Sequence, residues 1–169
     1  NPNAHFYGKT VDLNKINNSP IVCSPFRLFD CSPISDGAVA VVLSKNKGRH
    51  AVSVLGCEYA CDTLSLTQHS DLTAFSSTQR AAAKVFQKSG VVRKNVGVVE
   101  LHDCFTINEI VSLEDLGFFE KGGAVKAIRK NETTLSGSLP VNTDGGLKGD
   151  GHPVGASGLA QIYELALQL

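Results

Sequence analysis

Three short runs of mostly β-branched apolar residues limit what this chain can fold into: Val39-Ala40-Val41-Val42-Leu43, Ala51-Val52-Ser53-Val54-Leu55 and Val96-Gly97-Val98-Val99-Glu100-Leu101. Each is nearly continuous rather than alternating, the pattern of a strand covered on both faces. After the second run the apolar period becomes helical. Ser76-Ser77-Thr78-Gln79 has the spacing of a capping box, in which a Ser side chain takes an orphan helix amide and Gln79 returns the bond. Ala81, Ala82, Val85 and Phe86 then share one face, Lys84, Gln87 and Lys88 the other, and Gly90 suits the stop. A second helix is predicted over about 106–116, with Ile107, Ile110, Val111 and Leu113 inward and Gly117 closing it. Residues 118–139 are polar and contain glycine, an excursion from the sheet. A short strand over 139–142 leads to Asp144-Gly145-Gly146. The final helix, from about Val154, has a polar stripe of only Gln161, Glu164 and Gln168 and is predicted to be central. This alternation of strands and helices predicts an α/β fold with right-handed crossovers.

With 169 residues, 42% of them hydrophobic, the chain can bury a core as one globular domain or as parts of two. The basic, polar stretch 44–50 is the expected boundary. Sixteen basic residues balance sixteen acidic ones, which argues against a nucleic-acid partner. No stretch approaches the ~18 apolar residues of a membrane span. Methionine is absent even at position 1, and the last residues stop inside an apolar helical pattern, so a piece of a longer protein is expected. Cys23, Cys31, Cys57, Cys61 and Cys104 are odd in number, irregularly spaced and without a Cys-x-x-Cys. Neither a disulfide framework nor a metal site is expected, and a reducing, intracellular compartment is.

Two places combine reactive side chains with a suitable backbone. His102-Asp103-Cys104-Phe105 lies between a predicted strand and a predicted helix, where ligands bind in open α/β sheets. There Cys104 reads either as a buried small residue or as a thiol whose pKa the helix end lowers. His102 reads either as a satisfied core imidazole or as a functional one. The second place is Gly151-His152-Pro153-Val154-Gly155-Ala156-Ser157-Gly158. Glycines let the chain turn sharply, Pro153 suits a first helical position, and His152 projects from the junction. Gly155, Ala156, Ser157 and Gly158 remove bulk, so that another backbone or a ligand can come close. A tight turn with His152 as a bystander is the competing reading. No Gly-x-x-x-x-Gly-Lys-Ser/Thr phosphate loop occurs.

Taken together, these motifs resemble the thiolase family, more narrowly its sterol-carrier-protein type and the archaeal and bacterial acetyl-CoA acetyltransferases. The flanks agree over nearly the whole chain: Leu28-Phe29-Asp30-Cys31-Ser32-Pro33, Asp36-Gly37-Ala38, Phe75-Ser76-Ser77-Thr78 and Glu114-Asp115-Leu116-Gly117. The resemblance implies a five-layered α-β-α-β-α fold of two similar halves. On that mapping residues 1–47 are the tail of the first half and residues 48–169 a second half truncated at its C-terminal end. The nucleophilic Cys of the family would lie upstream of residue 1.

The resemblance also implies roles. His152 is the expected general base toward the nucleophilic thiol and a donor into the oxyanion hole. His102 completes that hole, and Cys104 is the second acid/base, acting at the α-carbon of the acyl group. Phe105, Gly151, Gly155 and Ser157 are the expected substrate-binding residues. Asp103 and Glu109 carry no role beyond that of helix-start carboxylates. The implied activity is acyl-CoA thiolysis or Claisen condensation, with coenzyme A and acyl-CoA as substrates and no cofactor. A thiolase-like lipid- or CoA-binding or scaffold protein is the alternative, and a Cys/His hydrolase using Cys104 a weaker third. The family implies a homodimer or homotetramer. The expected compartment is the cytoplasm, with peroxisome and mitochondrion as alternatives.

Overall fold

Glycine and proline set the turns between the short elements of this chain, whose computed structural model describes residues 2–46 and 48–169. The elements in order are α1 (Leu13–Asn17), β1 (Ile21–Cys23), β2 (Phe26–Arg27), α2 (Ser76–Ser89), α3 (Thr106–Asp115), α4 (Ala124–Arg129), α5 (Gly146–Gly149) and α6 (Ser157–Gln168). They fall into two compact units. The first comprises Asn1–Asn46, Glu100–Glu109 and Asn142–Leu169, the second Lys47–Val99 and Ile110–Val141. The boundary expected over 44–50 includes Lys47, which lies outside the described residues.

In the first unit β1 and β2 pair antiparallel, and Asp12 caps α1 by accepting from the Lys15 amide at 2.7 Å. Leu101 and Leu147 supply its buried apolar core. Two amides near the start of the chain rest on carbonyls far along it: His5 donates to Asp150 at 2.8 Å and Phe6 to Gly149 at 3.1 Å.

The second unit is built on small residues that let helices approach closely. Ala82 of α2, Leu113 of α3 and Ala124 and Ala127 of α4 are all buried. Gly56 passes α2 so closely that a Cβ there would stand 2.7 Å from Val85 Cγ2. Arg93 lies over the Phe86 ring, 4.1 Å from its centroid, and its Nε donates to the Leu116 carbonyl at 2.6 Å.

Several sequence expectations are corrected. Runs 39–43 and 51–55 lie in no hydrogen-bonded strand, and Val42 is 94% exposed. Run 96–101 and the predicted strand at 139–142 form no ladder, but an isolated parallel bridge, Val99 with Val141, with the Val99 amide on Pro140 O at 2.9 Å. β-Branched residues suit a pleat, but a ladder also needs a neighbouring backbone. No capping box forms at α2. Its N-cap is Phe75, and Asp115 takes both the Phe75 amide at 2.6 Å and the Gln79 side chain at 2.7 Å. Gly90 closes α2 in the left-handed region, φ 70°, as its position suggested. In α3 Leu113 is fully buried but Ile107, the second residue of the helix, is 42% exposed. Pro153 is not the first helical residue: a turn spans 154–156 and α6 begins at Ser157. The orientation of α6 also departs from expectation, with its polar stripe on the unit and Ile162, Tyr163 and Leu167 outward.

Candidate functional site

The first unit contains every residue singled out for chemistry. Leu101 is buried and its peptide is held from two sides, its amide on Asn142 Oδ1 at 2.8 Å and its carbonyl accepting from Gln161 Nε2 of α6 at 2.6 Å. The chain therefore leaves this point in a fixed direction. His102 follows, exposed, and its ring packs edge-on against His152 with centroids 4.9 Å apart and planes at 75°.

The backbone at Gly151 has φ 112°, a conformation glycine adopts without steric cost. Any Cβ there would press on Ser35 Oγ and His5. The next amide, that of His152, donates to Ser35 Oγ at 2.7 Å, and residue 152 bridges to Ile34. The imidazole is held by its other side: Nδ1 lies 2.7 Å from Ser157 Oγ, and Ser157 is 2% exposed. Ser157 Oγ also reaches Pro153 O at 3.1 Å. With the hydroxyl proton on Pro153, Ser157 accepts Nδ1–H and leaves the lone pair on Nε2. Burial, helped by His102 and opposed by Asp103, holds His152 below the ordinary histidine pKa, so the ring is neutral at physiological pH.

Cys104 has its carbonyl on the Ser32 amide at 2.9 Å, and its sulfur accepts from Asn108 Nδ2, in the first turn of α3, at 3.1 Å. The expected lowering of its pKa is corrected. Burial pushes the thiol up and Asp103 adds to this, outweighing the Phe105 amide and Asn108. The helix end is outweighed by desolvation. The group is a thiol at neutral pH, suited to giving a proton rather than to standing as a thiolate.

The expected substrate-binding residues take different positions. Phe105 is half-exposed, its ring 5.9 Å from that of Phe26. Gly155 faces open space, whereas Gly151 and Ser157 are buried against the protein. An open cleft of about 810 Å³ includes Gly151 and Ser157 in its lining but not His102, Cys104 or His152. It lies beside the imidazole pair rather than on it. Sequence reasoning missed Ser35, Asn108 and Asn142. Of these only Asn108 had a signal, the i+4 spacing from Cys104 on a predicted helix. Among the described residues no three His, Cys, Asp or Glu side chains are grouped to hold a metal ion, and no helix is long and apolar enough to cross a membrane.

Residues 59–169 match the family described as Thiolase C-terminal domain-like. The chain belongs to the thiolase family. It is 42% identical, over its whole length and 45% of the relative's, to an acetyl-CoA acetyltransferase of Methanothermobacter thermautotrophicus. It is 36% identical over its whole length, and 32% of the relative's, to sterol carrier protein 2 of Gallus gallus. Among solved structures, a chain titled Ltp2-ChsH2(DUF35) aldolase matches with a TM-score of 0.77 at 25% identity, over 98% of this chain and 46% of that one. The chain thus spans less than half the length of each of these proteins. Its helices and small sheet are a thiolase-like α/β arrangement.

Proposed function

We propose that this chain supplies the acid/base side of an acyl-CoA thiolase, acetyl-CoA C-acyltransferase, with the nucleophilic cysteine elsewhere in the complete enzyme. In cleavage, Nε2 of His152 takes the proton of that cysteine and the thiolate adds to the 3-keto carbon of a 3-ketoacyl-CoA. His102 and His152 stabilise the developing oxyanion, each donor contributing about 3 kcal/mol. The C2–C3 bond breaks, and the Cys104 thiol protonates C2 of the departing acetyl-CoA enolate. The CoA thiol gives its proton to the Cys104 thiolate and takes the acyl group, and His152 returns its proton to the released nucleophilic cysteine. Condensation runs the same steps backwards.

The observation that carries this reading is the imidazole of His152, neutral, packed on His102 and engaged at Nδ1 by a buried hydroxyl. That state is the one a general base requires. In the complete enzyme His152→Ala should lower acyl-enzyme formation, read by mass spectrometry, by about 10²–10⁴-fold. Cys104→Ala should leave acylation intact and stop exchange of the α-protons. Thiolysis at the wild-type rate in His152→Ala, or undiminished exchange in Cys104→Ala, would remove these assignments.

A second reading, a thiolase-like lipid- or CoA-binding protein without thiolysis, is favoured by relatives named sterol carrier protein 2 and, in Caenorhabditis elegans, non-specific lipid-transfer protein-like 2. It predicts acyl-CoA binding that His152→Ala leaves unchanged, with no turnover in the wild type. For either reading the odd number and irregular spacing of the five cysteines favour a reducing intracellular compartment.

A further inference from the structure

We propose that Asp103 is a positioning residue, tying the backbone that carries His102 and Cys104 to the loop that carries His152. The inference rests on the thiolase reading for its catalytic consequence, but the tie itself is a matter of geometry.

The Asp103 carboxylate reaches a point 44 residues further along the chain, where its Oδ1 accepts the amide of Leu147 at 2.8 Å. The preceding amide, Gly146, is taken by Asp144 Oδ1 at 2.7 Å. Gly146 is buried at φ 62°, and a Cβ there would collide with the Asp103 carboxylate. The approach therefore requires a residue without a side chain. From Leu147 the connection to His152 is short and held at two points. Asp150 donates to Gly146 O at 2.8 Å, and His152 donates to Ser35 Oγ at 2.7 Å.

Bonds through a third segment close a ring around this link. Lys148 Nζ donates to Cys31 O at 2.6 Å and to Leu28 O at 3.0 Å, and the Ser32 amide returns to Cys104 O at 2.9 Å. In that ring Asp103 is the side chain that joins the two catalytic segments directly. Loss of the link leaves the Leu147 amide without its acceptor and allows the 145–151 loop to shift relative to His102. A displacement of about 1 Å at such a site can cost about 10²-fold in rate.

The test uses the complete enzyme. Asp103→Ala removes the acceptor, Asp103→Asn keeps an oxygen in place, and Asp103→Glu keeps the charge but moves it by one methylene. For thiolysis, kcat should fall about tenfold or more in Asp103→Ala and Asp103→Glu, with KM for acyl-CoA within about threefold of wild type, and should be largely restored in Asp103→Asn. Amide exchange at Leu147 should be faster in Asp103→Ala and Asp103→Glu than in wild type and Asp103→Asn. Unchanged kcat in Asp103→Glu, or unchanged exchange at Leu147 in both Asp103→Ala and Asp103→Glu, overturns the proposal even if Asp103→Ala fails to fold. A wild type that performs no thiolysis sinks the thiolase reading alone, and exchange at Leu147 then decides the tie.

Discussion

Glu100, two residues before His102, is raised from its ordinary pKa of 4.5 to about 7. Burial is the main cause, with Asp144 and Glu164 adding to it and the Thr143 amide and hydroxyl opposing. Its Oε1 accepts from both Thr143 groups, while Oε2 is buried without a partner among the described residues. The folded state thus holds a proton that the unfolded chain releases above 4.5. Stability is therefore greatest at low pH as far as this group is concerned, and it declines as pH rises from about 4.5 to about 7. Denaturant titrations across that window should show the decline, and Glu100→Gln should flatten it. A second residue-level expectation concerns Gly146. Gly146→Ala meets both a positive φ and the Asp103 carboxylate, so it should cost about 2 kcal/mol or more, read from denaturation midpoints. The residue types of the site were legible in the sequence because imidazole and thiol advertise their chemistry. Apart from Asn108, their supports were not. Ser157 reaches His152 across a turn that belongs to no helical period, and Asp103 acts on a loop far along the chain.

At the scale of elements, α2 shows how tertiary contacts override a local signal. The sequence offered a capping box at 76–79, but Asp115, at the end of α3, satisfies the start of α2 instead. Asp115 is buried, so Asp115→Ala strands two donors and should destabilise the protein by about 3 kcal/mol, with Asp115→Asn costing less. Thermal or chemical unfolding of the two variants checks the order. The helical periods were read correctly for α2, α3 and α6, since period is a property of the segment itself. Which face turns inward is a property of the neighbours. In α6 the polar stripe bonds to Leu101 O and Thr143, and the apolar side is left outward. The strand runs failed for the same reason, a pleat being specified locally and a ladder only by a partner backbone.

At the scale of the molecule, several apolar surfaces lie open. Val42, Leu43, Val54, Ile162 and Leu167 are all exposed, on a chain that covers 45% of its archaeal acetyltransferase relative. Such surfaces associate in water. Residues 1–169 expressed by themselves are expected to self-associate and to perform no thiolysis. Ile162→Glu with Leu167→Glu should reduce the association, measured by sedimentation velocity, while leaving helix content unchanged by circular dichroism. The contacts of His5 and Phe6 bear on the chemistry in another way. Their amides are fastened to the carbonyls of Asp150 and Gly149, two and three residues before the residue proposed as the base. The segment carrying His5 and Phe6 is thus a splint for the imidazole. A fluorescent reporter on the exposed Tyr7 would ride with the catalytic loop and register its movements from outside the reaction centre.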